Sequence, residues 1–273
     1  MLRTFSLLLL SCLLAAAPPK GTLVIVGGHG RTPDIAEAFL QGAGGKGGVV
    51  GIVPTSTSEP VEEIKEWREE LEPLGVTVVP LDVRKREDSS SPAILEAAAR
   101  CTGFWFSGGD QDLVGNFIVG TPLHKVIMDR YYAGAVVGGT SAGAAIMSKV
   151  MLRGEDLHGK LELVEMGPGC YQTREGMGFL PPDIIIDQHF IKRGRENRLL
   201  SMAMTFPDHM GIGVDETTAL IVKDGIATVR GASGVLVFEP SGMKLARDGF
   251  TGLTLHYLRA GGTIDLATRK VRP

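Results

Sequence analysis

The chain has 273 residues, 44% hydrophobic and 22% charged, a composition that excludes a disordered or collagen-like chain and can build a sizeable core. Its 28 Lys and Arg against 31 Asp and Glu leave a formal charge of −3, which gives no electrostatic reason to expect nucleic acid or an anionic membrane surface as a partner. Cys12, Cys101 and Cys170 show no metal-ligand spacing, so a thiolate zinc site is not expected.

Residues 1–17 open with Met-Leu-Arg, continue with an apolar stretch over 5–14 and end in Ala15-Ala16-Ala17. One basic residue, a short apolar run and small residues predict an export signal. The run is shorter than the roughly 20 residues of a transmembrane helix. Two cleavage sites are consistent with it. One lies after the alanine run. The other lies before Cys12, because Leu9-Leu10-Ser11-Cys12 has the form of a lipoprotein box with Cys12 as lipid acceptor. Either cut predicts a periplasmic or extracellular protein, touching the membrane only through a lipid on Cys12. Whether Cys101 and Cys170 pair stays open.

From Gly21 onward apolar runs alternate with amphipathic ones. Strands are predicted over 23–26, 49–53, 76–81, 104–107 and 135–138. A charged surface helix is predicted over 60–74, with Val61, Ile64, Leu71 and Leu74 inward. Ser91-Pro92 and Thr121-Pro122 place Pro at the first helical position, starting helices that reach about Arg100 and Tyr132. Strands this apolar, each followed by a helix, predict an α/β fold whose mostly parallel sheet carries helices on both faces. Runs at 184–186, 212–214, 218–222, 227–229 and 235–238 follow at shorter spacing and read as an antiparallel extension of the same sheet. With no linker, the pattern gives one domain over 18–273. Gly44-Gly45-Lys46-Gly47 lacks the Ser or Thr of a phosphate loop and precedes a strand, so it reads as a surface turn.

Ligands of such sheets gather at the carboxyl ends of the strands. There Gly139-Thr140-Ser141-Ala142-Gly143 forms G-x-S-x-G between a strand and a helix-forming run over 142–149. A serine on this sharp turn is exposed as a nucleophile, and backbone N–H groups of the turn can face an oxyanion. His189, in Asp187-Gln188-His189-Phe190, is the preferred base, with His29 as its rival. His124, His158, His209 and His256 read as surface or packing residues. Asp215 and Glu216 are the candidate orienting acids, and if the strand persists only one of them faces the cleft. The order Ser, His, acid differs from that of the α/β-hydrolases.

Taken with Gly108-Gly109-Asp110-Gln111 and with Arg193, Arg195 and Arg198, these motifs resemble the cyanophycinase family of serine peptidases, to which aspartyl dipeptidase also belongs. The likeness runs from about residue 21 to about 240. It implies a fold like that of class I glutamine amidotransferases, with serine in place of their nucleophilic cysteine. It implies a Ser141–His189–Glu216 triad, no metal or organic cofactor, and a homodimer. The implied reaction is hydrolysis of cyanophycin, a poly-aspartate carrying arginine on its side chains, to β-Asp-Arg dipeptides. The residues suggest further roles. Gly109, Asp110 and Ala142 are candidate oxyanion donors through their backbone. Gln111, Asp187, Gln188 and the three arginines are candidates to bind substrate, since a guanidinium fork accepts both oxygens of a carboxylate. Asp187 and Gln188 have a second candidate role, holding the His189 loop. The alternatives are an aspartyl or isoaspartyl dipeptidase, which needs no contacts to a long polymer, and a lipoprotein that binds aspartyl peptides without cleaving them.

Overall fold

The computed structural model describes residues 18–156, 166–246 and 249–273. The export segment with Cys12, and His158, lie outside the described residues. The elements in chain order are β1 (Thr22–Val26), α1 (Pro33–Gly42), β2 (Val49–Val53), α2 (Pro60–Leu71), β3 (Thr77–Pro80), α3 (Pro92–Arg100), β4 (Gly103–Phe106), α4 (Gln111–Phe117), α5 (Pro122–Ala133), β5 (Val136–Thr140), α6 (Ala142–Ala145), β6 (Val150–Asp156), β7 (Tyr171–Glu175), β8 (Ile184–Gln188), α7 (Glu196–Thr205), β9 (Met210–Val214), β10 (Thr218–Lys223), β11 (Ile226–Gly231), β12 (Val235–Glu239), β13 (Lys244–Ala246), β14 (Gly249–Thr251), β15 (Thr254–Leu258), β16 (Thr263–Asp265) and β17 (Lys270–Arg272).

Nine strands form the main sheet, in the order β17-β16-β11-β10-β1-β5-β4-β2-β3. The five from β1 to β3 in that order run parallel, and the other four join antiparallel on the far side of β1. This is the expected α/β sheet with an antiparallel extension. The alternation of strand side chains sets the two layers. Val24, Val26, Ile52 and Trp105 face α1 and α2, meeting Ile35, Phe39, Trp67 and Leu71. Leu23, Ile25, Phe104 and Phe106 face the opposite layer, where they cluster with side chains of α3 to α6 and of a second sheet.

That second sheet has the order β15-β12-β9-β8, with β8 and β9 parallel. It takes the runs at 184–186, 212–214 and 235–238, which the sequence pattern assigns to the main sheet; only the runs in β10 and β11 extend it. The reason is physical. An apolar run reports that a strand is buried, not which neighbour covers it. Glycines bring β9 close to its covering residues: a Cβ at Gly213 would fall 2.2 Å from the Phe190 ring, and one at Gly211 would fall 3.1 Å from Leu199 of α7.

Two local expectations also change, and one open question is answered. The helix predicted over 60–74 ends at Leu71 and passes into a 3-10 turn at Glu72–Leu74, because Pro73 cannot continue the hydrogen-bond ladder. Its buried face is Trp67 and Leu71, with Ile64 packed against the cluster, while Val61 and Leu74 are exposed. The run at 142–149 is helical only over α6, and its tail turns into β6. Cys101 is a free, buried thiol whose Sγ donates to Ala97 O at 3.4 Å, so it is not bonded to Cys170. Burial pushes its pKa up to about 12, which makes it a packing residue at neutral pH.

Candidate active site

Every candidate catalytic side chain sits just beyond the carboxyl end of a strand. Ser141 follows β5, His189 follows β8, and Glu216 follows β9 by two residues. Ser141 occupies the sharp turn into α6 with φ 54° and ψ −112°, a backbone state that costs a non-glycine residue about 1–3 kcal/mol and is typical of functional sites. The neighbouring glycines make the turn possible. A Cβ on Gly143 would lie 2.1 Å from Phe106 O, and one on Gly139 would lie 2.4 Å from Gly143 O.

The three side chains form a chain of hydrogen bonds. His189 Nε2 is 2.9 Å from Ser141 Oγ, and His189 Nδ1 is 2.7 Å from Glu216 Oε1. This arrangement puts an imidazole between a hydroxyl and the carboxylate that fixes its tautomer. Asp215, the other candidate acid, points away. It is buried, and its carboxylate accepts from the Lys192 N–H at 2.8 Å and from Ser233 Oγ at 2.6 Å. His29, the rival base, is exposed at the rim of the cleft and contributes its charge near Glu216. His124 is held by the Gly120 N–H and by Met177 O, as befits a packing residue.

Burial lowers the His189 pKa from the ordinary imidazole value. Its hydrogen bond to Glu216 opposes that shift, and Arg193 and Arg195 add to it. The same hydrogen bond holds the Glu216 carboxyl below the usual carboxylate range, with the charges of His189, His29 and Arg193 acting in the same direction. At neutral pH the pair is therefore a neutral imidazole beside a carboxylate.

The remaining candidates divide. Ala142 follows the serine and Gly109 lines the same cleft, and among the described residues neither backbone N–H is bonded to another backbone acceptor. Asp110 is not a free donor: its N–H bonds to Ser56 O at 2.9 Å, and its Oδ1 caps α4 through Asp112 N–H at 2.8 Å. Gln111 is buried, and its Nε2 donates to Leu152 O at 3.0 Å, which ties α4 to β6. Asp187 and Arg198 form an ion pair at 2.9 Å, both side chains 1% exposed. Arg195 Nη1 donates to Gln188 O at 2.8 Å and to Gln188 Oε1 at 2.7 Å. Burial pushes the Arg195 pKa down to about 10. These four residues are tied to one another around the segment that carries His189, the second role expected of Asp187 and Gln188. Arg193 alone of the three arginines is exposed.

The serine opens into a cleft of about 650 Å³ lined by His29, Ser56, Glu63, Asp110 and Leu113, among others. Among the described residues no group of three or more His, Cys, Asp or Glu side chains is placed to hold a metal ion. Two contributors were not singled out in the sequence. Gly28 leaves room for the imidazole, since a Cβ there would fall 2.2 Å from His189 Cε1. Its signal is a glycine pair closing an apolar strand. Glu63 lies on a charged helix and has no sequence signal that separates it from its neighbours.

Residues 23–230 match the model of peptidase family S51. The chain belongs to peptidase family S51. Curated relatives bear the same stamp. A protein of Synechococcus elongatus named cyanophycinase is 32% identical over 270 residues, covering 93% of this chain and 81% of the relative. One of Nostoc sp. with that name is 31% identical over 273 residues, covering 93% and 88%. The crystal structure of a peptidase from an acI-B1 actinobacterium superposes with a TM-score of 0.70 at 25% identity, covering 90% of this chain and 97% of that one. This S51 protein is a serine-type peptidase of the cyanophycinase-like kind.

Two outcomes follow from the geometry. The His189 imidazole, followed by NMR, is expected to titrate below about 6.5. Removing a positive neighbour favours the imidazolium, so Arg193→Ala is expected to raise that midpoint; a fall would contradict the assignment of charges. Gly28→Ala displaces the imidazole, and kcat in a peptidase assay is expected to fall about 10²-fold, with KM within a few-fold. An unchanged kcat would show that the ring tolerates the methyl group.

Proposed function

We propose that this peptidase hydrolyses cyanophycin to β-Asp-Arg dipeptides through an acyl-enzyme on Ser141. The observation that carries the reading is the hydrogen-bonded Ser141–His189–Glu216 chain in a family whose curated relatives carry the name cyanophycinase.

His189 Nε2 takes the Ser141 proton as Oγ attacks the backbone carbonyl carbon of an aspartyl residue. The oxyanion is held by the Gly109 and Ala142 N–H groups. His189, now cationic and steadied by Glu216, gives its proton to the leaving nitrogen, and the C–N bond breaks. Water then attacks the ester, His189 removes the water's proton, and the carboxylate leaves as Ser141 Oγ regains its hydrogen. The strained turn presents Oγ to this path without a folding motion.

The signal-like segment 1–17 supports export to the periplasm or the exterior, freely or through a lipid on Cys12. There the enzyme degrades polymer released by other cells. The family likeness supports a homodimer.

The test mixes purified protein with cyanophycin granules and follows turbidity and released β-Asp-Arg together. The wild type is expected to clear the suspension and release dipeptide, and Ser141→Ala to do neither. Cleavage of short isoaspartyl peptides with intact granules would move the assignment to a dipeptidase. Binding without hydrolysis would leave an aspartyl-peptide receptor.

A further inference from the structure

The cleft at Ser141 continues beyond the nucleophile. Past Gly30, Glu63 and Thr140 it meets a second pocket of about 280 Å³, whose lining includes Arg31, Glu66, Glu70 and the rings of Trp67 and Trp105. Glu63, Glu66, Trp67 and Glu70 recur at helical spacing, so they share one face of α2. Glu63 is the one carboxylate that lines both spaces. Its orientation is set: Trp67 Nε1 donates to Glu63 Oε1 at 3.0 Å, and Trp67 itself is buried.

This pocket already holds a guanidinium. Arg31 Cζ lies 3.7 Å from the Trp67 ring centre and 5.0 Å from that of Trp105, and its Nη2 pairs with Glu70. A planar cation between an aromatic face and a carboxylate is the arrangement in which arginine side chains are recognised. Three carboxylates face that single internal cation. Negative charge therefore remains on the side of the pocket that opens toward Ser141. On the side of His189 the sign reverses, because the positively charged Arg193 is exposed there.

We propose that Glu63 is a specificity-determining residue that selects substrates bearing a guanidinium on the side chain next to the scissile bond. The inference rests on the functional reading above and names the group that makes an arginine-bearing polymer the preferred substrate. An arginyl group carries its carboxylate and its guanidinium at opposite ends, and the cleft is charged in the matching order. Glu66, one turn further along α2, strengthens the field without lining the nucleophile's own cleft.

The experiment compares two short aspartyl oligomers, one carrying arginine on its side-chain carboxyls and the other carrying citrulline, whose ureido group has nearly the same shape and no charge. A hydrogen bond to a charged group contributes about 1.5–3 kcal/mol, which is roughly a 10- to 100-fold preference in kcat/KM for the arginine oligomer, expressed chiefly in KM. Glu63→Gln retains the acceptor for Trp67 Nε1 and is expected to reduce that preference to within a few-fold of unity. A second readout needs no variant: free arginine should inhibit the wild type competitively, and free citrulline should not. Equal cleavage of both oligomers by the wild type, or a preference that survives in Glu63→Gln, overturns this inference alone. Cleavage of neither overturns the functional reading and the inference with it.

Discussion

Ser141 N–H donates to Val26 O at 3.1 Å, His189 N–H to Gly27 O at 2.7 Å, and Thr217 N–H to Gly28 O at 2.9 Å. Three consecutive carbonyls at the end of β1 thus hold the three segments that carry serine, imidazole and carboxylate. β1 lies between β5 and β10 in the main sheet, whereas β8 and β9 belong to the second sheet. The register between the two sheets at the site is set by these bonds. Amide–carbonyl bonds contribute only about 0.5–1.5 kcal/mol each, but here each also fixes the starting point of a side chain that must meet another within hydrogen-bond reach.

Such close convergence leaves no room for side chains at Gly27 and Gly28, the two residues that follow β1. A Cβ on Gly27 would fall 2.1 Å from Asp215 O, so any side chain would part β1 from the loop that carries Glu216. The loop after β1 and the segments it holds adopt backbone states that favour glycine: His29, Ser141, His189 and Thr217 all have φ between 50° and 57°. This strain must be offset by packing elsewhere. Some of that support is the buried Asp187–Arg198 pair under the His189 loop. A buried pair of this kind stabilises little by itself, but breaking it leaves an unpaired charge that costs about 3–5 kcal/mol. Asp187, Gln188, Arg195 and Arg198 thus serve the chemistry through the position of His189.

The parallel sheet, its helices and the Ser141 turn were legible because apolar runs, Pro at the first helical position and G-x-S-x-G are local patterns. His189 was legible from its place after the run at 184–186, while the choice of Glu216 over Asp215 came from the family likeness. The direction of the arginines was not legible. Arg195 and Arg198 look the same in sequence whether they face solvent or Asp187, and burial of the carboxylate decides it. The second sheet was hidden for a similar reason, since pairing partners are not written in a strand's own residues. α4 was missed because Gly115 weakens its helical signal; in the fold a Cβ there would meet the Arg174 guanidinium at 2.3 Å, so the position is set by packing rather than by propensity. Glu63 is one of many glutamates on a charged helix, and only the shape of the cleft singles it out.

The central claim is that the fold makes Ser141 a nucleophile by placing His189 on it. The most direct measurement treats the protein with a fluorophosphonate, which reacts with activated serines, and locates the adduct by peptide mass spectrometry in the wild type and in His189→Ala. The account predicts a single phosphonyl adduct on Ser141 in the wild type and none in the variant. An unlabelled Ser141 in the active wild type, or equal labelling without His189, would contradict it.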